Sequence, residues 1–275
     1  MRICAYIDGS DGGTPAERVR HGIIEGEMVR PIGHGGLNAL LDGRAPVHPG
    51  EPIPMSSVHL QAPLRPGKLI GVGLNYREHA RETGQPIPER PLLFAKFPSA
   101  VTAPSGPIRL PDYTAELDYE GELAVVIGTT AKDVSTADSL SHVFGYAVMN
   151  DVSARDLQRR EPQWVLAKSG DTFAPWGPWI TTADEVADPQ DLAIRTCVNG
   201  ELRQDGHTSD MVFSVAELVA YISARMTLEP GDVITTGTPA GVGAGFSPPR
   251  FMSAGDQVRI EIDGLGRIEH GVVAR

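Results

Sequence analysis

The sequence predicts a β-dominated α+β fold. Short apolar or alternating runs of strand length outnumber helical ones, and only one helix is clearly capped. The 31 glycines and 23 prolines are spread along the 275 residues, and turn formers distributed in this way cut a chain into short elements. A hydrophobic content of 41% against 21% charged residues is that of an ordinary globular protein, long enough to bury a core without disulfides.

Taken in order, residues 1–62 read as a small β-rich N-terminal subdomain. Its first strand is Arg2–Ile7, and Gly/Asp/Pro clusters follow. Residues 44–54, with Pro46, Pro49, Pro52 and Pro54, read as an extended connector. A larger unit, 63–275, begins with a strand at 68–72. After Asn75-Tyr76 comes a helical turn, Arg77–Glu82, stopped by Gly84 and Pro86. Further strands are expected at 92–97, 123–127 and 143–149, the last two as continuous apolar runs. Asn199-Gly200 marks a type I′ hairpin between 195–198 and 201–203. Ser214 and Glu217 form a capping box that opens a helix over 215–226, ended by Glu229-Pro230-Gly231. A strand at 232–236 follows. Val258, Ile260 and Ile262 then alternate with Arg259, Glu261 and Asp263, a half-exposed strand.

Charge and cysteine usage narrow the function classes. With 35 acids against 24 bases the net charge is −11, which disfavours nucleic acid and anionic membranes as partners. Cys4 and Cys197 form no CxxC pair, so neither a zinc site nor a disulfide framework is indicated. Met1–Ser10 lacks a signal-peptide pattern, and no run approaches 18 apolar residues, so a cytoplasmic location is expected.

The segment Leu117-Asp118-Tyr119-Glu120-Gly121-Glu122-Leu123 runs into an apolar strand. If extended, it places Asp118, Glu120 and Glu122 on one side. Carboxylates crowded beside a buried strand repel each other, and a hard divalent cation would resolve that; a face that simply meets solvent would account for the pattern too. Asp151, at the end of the run 143–149, offers a third carboxylate. A helix N-cap would also explain an acid there, but Ser153, three residues before Asp156, can supply that cap itself. Two glutamates and an aspartate suit Mg²⁺ or Mn²⁺.

His79 and Glu82, at i and i+3, can touch, and a carboxylate beside an imidazole raises its basicity. The pair can activate water, although a polar exposed turn would look the same. Lys96, Arg155 and Lys168 sit in or near apolar stretches, where they are either structural or the cations of an anion pocket. Gly71-Val72-Gly73 fails as a dinucleotide fingerprint because Tyr76 takes the last glycine position. The stretch from Thr236 to Gly243 lacks a P-loop ending, but its backbone and the Thr238 hydroxyl can meet a ligand. No G-x-S-x-G elbow is present.

Six separated segments together resemble the fumarylacetoacetate hydrolase family. They are Gly71-Val72-Gly73-Leu74-Asn75-Tyr76 with His79, Leu92-Leu93-Phe94-Ala95-Lys96, the run from Asp118 to Leu123, the run from Asn150 to Asp156, Leu166-Ala167-Lys168-Ser169, and Thr236-Gly237-Thr238-Pro239. They stand in the family's order and cover roughly 63–275. The resemblance implies a mixed β-roll, a homodimer, and one Mg²⁺ or Mn²⁺ per subunit held by Glu120, Glu122 and Asp151, while Asp118 matches no usual ligand. It implies that His79 and Glu82 activate water from a lid, with Lys168 assisting. Lys96, Arg155, Gln158, Lys168 and Thr238 would contact substrate or metal-bound water. The implied activity is cleavage of a C–C bond in a 2,4-dioxo acid, an acylpyruvate or a sugar-derived diketo acid. Oxaloacetate decarboxylation and enol–keto isomerisation are the alternatives on the same fold, and a non-catalytic metal- or ligand-binding protein is a third. Specificity is expected from the lid at 81–90 and the loop at 246–252.

Overall fold

The computed structural model describes residues 1–8, 19–33, 35–41, 43–44 and 50–275. Strands dominate, with two main sheets and five short α-helices among the described residues. The larger sheet runs, edge to edge, through Ile53–Pro54, Met28–Ile32, Arg20–Glu25, Arg2–Ile7, Ala174–Thr182, Val143–Asn150, Gly121–Ile127, Val233–Thr235, Leu69–Gly73 and Leu92–Lys96. The smaller one orders Glu201–His207, Ala193–Val198, Gln257–Ile262, Gly266–Ala274 and Ile108–Leu110. Most neighbours are antiparallel, but Leu69–Gly73 runs parallel to Val233–Thr235 and Gly266–Ala274 parallel to Ile108–Leu110. The result is the mixed, β-dominated architecture that the sequence predicts.

The main apolar core lies between the sheets, and a smaller separate cluster gathers Cys4, Tyr6 and Val29. The continuous burial expected of the apolar run at 123–127 extends over all of Gly121–Ile127, because this strand sits mid-sheet with the second sheet on its face. Gly121 shows how close that packing is: a Cβ there would stand 2.5 Å from the Thr196 hydroxyl across the interface. Gln257–Ile262 alternates strictly between exposed and buried residues, as a strand with one solvated face must. Strand Arg2–Ile7 joins the large sheet by pairing antiparallel with Ala174–Thr182, Ile3 opposite Ile180.

Local signals act as expected. Asn199 and Gly200 both have positive φ, 52° and 79°, the requirement of a type I′ turn. The Ser214–Glu217 capping box is formed in both directions. That helix spans Val215–Ser223, shorter than 215–226, since the last turn frays before Glu229-Pro230-Gly231. Part of the expected connector, 45–49 with Pro46 and Pro49, lies outside the described residues. No helix among the described residues is long and apolar enough to cross a membrane.

Candidate functional site

The carboxylate cluster is assembled by strand register. Gly121–Ile127 pairs antiparallel with Val143–Asn150, with Gly121 opposite Asn150. The start of one strand therefore lies beside the end of the other. The Asp151 N–H donates to the Glu120 carbonyl at 2.9 Å, and the Glu120 N–H donates to the Asn150 side-chain oxygen at 3.0 Å. Carboxylate oxygens of Glu120, Glu122 and Asp151 all come within 4.8 Å of one another, and the three side chains are buried.

Asp118 does not share this face. The strand breaks at Tyr119-Glu120, leaving Leu117–Asp118 paired with Ser153–Ala154 and a new strand starting at Gly121. The alternation expected of one continuous strand is lost there. Ser153 corrects another expectation. It is held in that short pairing, its hydroxyl donates to the Asp151 carbonyl at 2.9 Å, and the helix Arg155–Arg160 carries no side-chain cap.

Cations surround the triad unevenly. Lys168 Nζ lies 2.6 Å from Glu120 Oε2 and 2.8 Å from Asp151 Oδ2. Lys96 Nζ lies 2.5 Å from Asp151 Oδ1 and also donates to the Lys168 carbonyl. Arg155 Nη1 lies 2.6 Å from Glu120 Oε1 and donates to Gln158 Oε1 at 3.0 Å. Glu122 has no ion pair among the described residues; it accepts from the Thr235 hydroxyl and, at 2.9 Å, from the Gly237 N–H.

The consequences for ionisation differ. Burial opposes a charge on Glu120, but Arg155 and Lys168 outweigh it and hold that carboxyl well below the usual range. Burial, then repulsion from Asp151 and Glu120, pushes Glu122 well above it. Burial also pulls the Lys96 ammonium down, whereas at Lys168 the Asp151 and Glu120 carboxylates overcome burial and raise it. The donor set fits a hard divalent cation: three oxygen ligands converge, and one of them lacks a counter-charge that an ion would supply.

A cavity of about 30 Å³ adjoins the triad. Its lining includes His79, Glu120, Glu122, Arg155, Gln158, Lys168 and Thr238. Lys96 does not line it; its ammonium lies behind Asp151, where it orients that carboxylate. His79 comes from the helix Arg77–Glu82, formed as the sequence predicts, and is 6% exposed. Its Nδ1 is 3.3 Å from Glu82 Oε2, and the other Glu82 oxygen accepts from the Gly241 N–H at 2.8 Å. Thr238 is fixed by a donation from Gln204 at 2.7 Å and itself donates to the Gly121 carbonyl at 3.0 Å.

Several site residues escape a sequence reading. Phe94 and Trp164 form an apolar wall of the cavity, their ring centroids 5.6 Å apart, with Lys168 Nζ 4.9 Å from the Phe94 centroid. They lie against Gly71 and Gly73, where a Cβ would approach the Phe94 ring to 2.2 Å and the Trp164 ring to 2.6 Å. Two glycines at strand spacing were the available signal: bare backbone at alternate positions seats large rings. Gln204 and His270 carry no sequence signal. His270 Nε2 meets Asn150 Nδ2 at 2.9 Å and so braces the amide that receives Glu120.

Known proteins share this arrangement of sheets. A family model for the fumarylacetoacetate (FAA) hydrolase C-terminal region matches residues 68–273. A mitochondrial oxaloacetate tautomerase, fahd2, from Xenopus laevis is 48% identical over 221 residues, covering 79% of this chain and 69% of that protein. The solved fumarylacetoacetate hydrolase of Exiguobacterium antarcticum superposes with a TM-score of 0.89 at 38% identity, over 100% of both chains. A 2-hydroxyhepta-2,4-diene-1,7-dioate isomerase from Mycobacterium marinum gives a TM-score of 0.85 at 39% identity, over 100% of this chain and 99% of that one. With three quarters of its length matched and its sheets superposed, the chain belongs to the fumarylacetoacetate hydrolase family of enzymes.

Proposed function

We propose that the chain is a Mg²⁺- or Mn²⁺-dependent hydrolase that breaks a C–C bond in a 2,4-dioxo acid, an acylpyruvate or a sugar-derived diketo acid. The observation that carries this reading is that His79, paired with Glu82, lines the same small cavity as Glu120 and Glu122 of the carboxylate triad. Those three carboxylates would hold the ion. Bound there, it supplies positive charge to the oxygens of a 2-oxo acid and to a developing enolate.

The remaining roles fall to the chain's own side chains. Glu82 engages His79 Nδ1, leaving Nε2 to take a proton from water. That water attacks the distal C4 carbonyl, the C3–C4 bond breaks, and the products are a carboxylic acid and the enolate of a 2-oxo acid, which is then protonated. Lys168 supports the negative charge. Arg155 has a buried Nη2 without a partner, a donor left for a substrate oxygen. Gln158 and Thr238 complete the polar lining, and Lys96 acts through Asp151. The cavity has room for about one or two waters, so substrate binding must displace part of the wall formed by the lid.

Decarboxylation of oxaloacetate or enol–keto isomerisation is the second reading, and the 48% identity to the Xenopus laevis tautomerase favours the isomerisation. Both need the same stabilised enolate. A binder without turnover has no use for the His79–Glu82 pair, so unchanged behaviour of His79→Ala in every assay would favour that third reading. A metal-supplemented panel of 2,4-dioxo acids and oxaloacetate separates them. Hydrolysis gives two acids, decarboxylation releases CO₂, and isomerisation changes enol absorbance at constant mass. Absence of two-acid products across the panel would reject the hydrolase. The proposal includes a homodimer in the cytoplasm, acting on a small molecule, and sedimentation of the purified protein tests the dimer.

A further inference from the structure

Asp118 is fully buried, lies off the triad and has no part in the steps above, yet four donors converge on it. Oδ1 accepts from the Gly243 N–H at 2.7 Å and the Tyr119 N–H at 3.0 Å. Oδ2 accepts from the Ala244 N–H at 3.0 Å and from Arg155 Nε at 2.9 Å. A buried carboxylate so fully satisfied is fixed in place, and it fixes whatever donates to it.

Two sets of donors meet there. Arg155, 7% exposed, is held at Nε by Asp118 and at Nη1 by Glu120 and Gln158, which leaves Nη2 for the cavity. The other set is the backbone of the loop 241–245, whose opposite side meets the lid. Gly241 N–H donates to Glu82, and a Cβ at Gly245 would lie 2.2 Å from Glu82 Cδ. At Gly243 a Cβ would lie 2.4 Å from the Arg250 carbonyl oxygen and 2.5 Å from Asp118 Oδ1, so glycine is needed where the loop packs between that backbone and the carboxylate.

We infer that Asp118 is a positioning residue that couples lid closure to the substrate-binding arginine. It orients Arg155 and, through the Gly243 and Ala244 amides, holds the loop that receives Glu82. Docking of the lid and presentation of Arg155 Nη2 are thereby one structural state. The role of Arg155 rests on the proposed function; the coupling of loop, lid and Asp118 does not.

The test is Asp118→Asn, which keeps size and removes the charge and one acceptor. Hydrogen exchange of the metal-free protein should speed up together in segments 77–85 and 241–246, and the Mn²⁺ dissociation constant should change by less than the roughly 10–100-fold typical of a direct outer-shell partner, because Asp118 reaches Glu120 only through Arg155. With a turned-over dioxo acid, KM should rise roughly ten- to a hundredfold, the cost of one charged hydrogen bond. Gly243→Ala, whose Cβ would meet the Arg250 carbonyl as well as Asp118 and so displace the loop with the Asp118 charge kept, should reproduce the exchange change if the Asn variant fails to fold. Unchanged exchange at 77–85 in the folded variants would overturn the coupling, and a loss of Mn²⁺ affinity as large as that of Glu120→Gln would make Asp118 a ligand instead. If no dioxo acid is turned over, the exchange result still decides the coupling, so the two proposals fail separately.

Discussion

Glu122 is the residue on which the proposed metal site turns. It alone of the three carboxylates lacks an ion pair among the described residues, and burial beside Asp151 and Glu120 raises its protonation above the ordinary value of 4.5. Without an ion, Glu122 holds its proton to a higher pH than an ordinary carboxyl does, and ion binding must release it. Mn²⁺ affinity should therefore rise with pH through and beyond the normal carboxylate range, with proton uptake by buffer measurable calorimetrically. Glu122→Gln should weaken Mn²⁺ by more than the roughly 10–100-fold typical of an outer-shell change, and should flatten the pH dependence. Equal affinity at pH 5 and pH 8 in the unsubstituted protein would contradict this account.

Residue identity was legible in the sequence where motif and backbone agree. Glu120 and Glu122 share an E-x-E, and the strand register brings Asp151 to them. Asp118 illustrates what was not legible. Periodicity places it with Glu120, but the strand breaks at Tyr119, a change that depends on pairing with Ser153–Ala154 far along the chain. Lys96 is similar: its apolar setting marks it as unusual, while its place behind Asp151 is fixed only by tertiary packing.

At the scale of elements, strand Leu69–Gly73 does more than pair. Its alternate glycines make room for Phe94 and Trp164, so the strand shapes the cavity by what it lacks. Gly71→Ala should displace the Phe94 ring and cost roughly 1–3 kcal/mol of stability, as overpacking does. Chemical denaturation checks this, and a change below about 0.5 kcal/mol would mean that the ring moves freely. Helix and hairpin signals were readable because they are local: a capping box and an Asn-Gly turn act within four residues. The helix Arg77–Glu82, the proposed lid, was also readable. Its docking partner Gly241 was not, since nothing in either segment alone specifies the other.

At the scale of the molecule, the second sheet buttresses the site. His270, on Gly266–Ala274, reaches across to Asn150 and thence to Glu120. Burial pushes its imidazole down from 6.5 to about 4. A depressed value means that the neutral ring is the folded form. The associated stability is complete above 6.5 and is lost as pH falls toward 4, in total about 3 kcal/mol. Unfolding free energy should thus fall more steeply between pH 6.5 and 4 for the natural chain than for His270→Gln. Parallel curves would remove His270 from the account. The sheet order itself was not legible, because strand neighbours such as Arg2–Ile7 and Ala174–Thr182 are far apart in sequence.

The most direct measurement is turnover of acylpyruvates by the purified protein before and after exhaustive chelation, with Mg²⁺ or Mn²⁺ then restored. The triad predicts that activity disappears with the ion and returns with it, and that Glu122→Gln does not recover at the same ion concentration. Full turnover after chelation would contradict the central claim that these three carboxylates exist to hold a catalytic divalent cation.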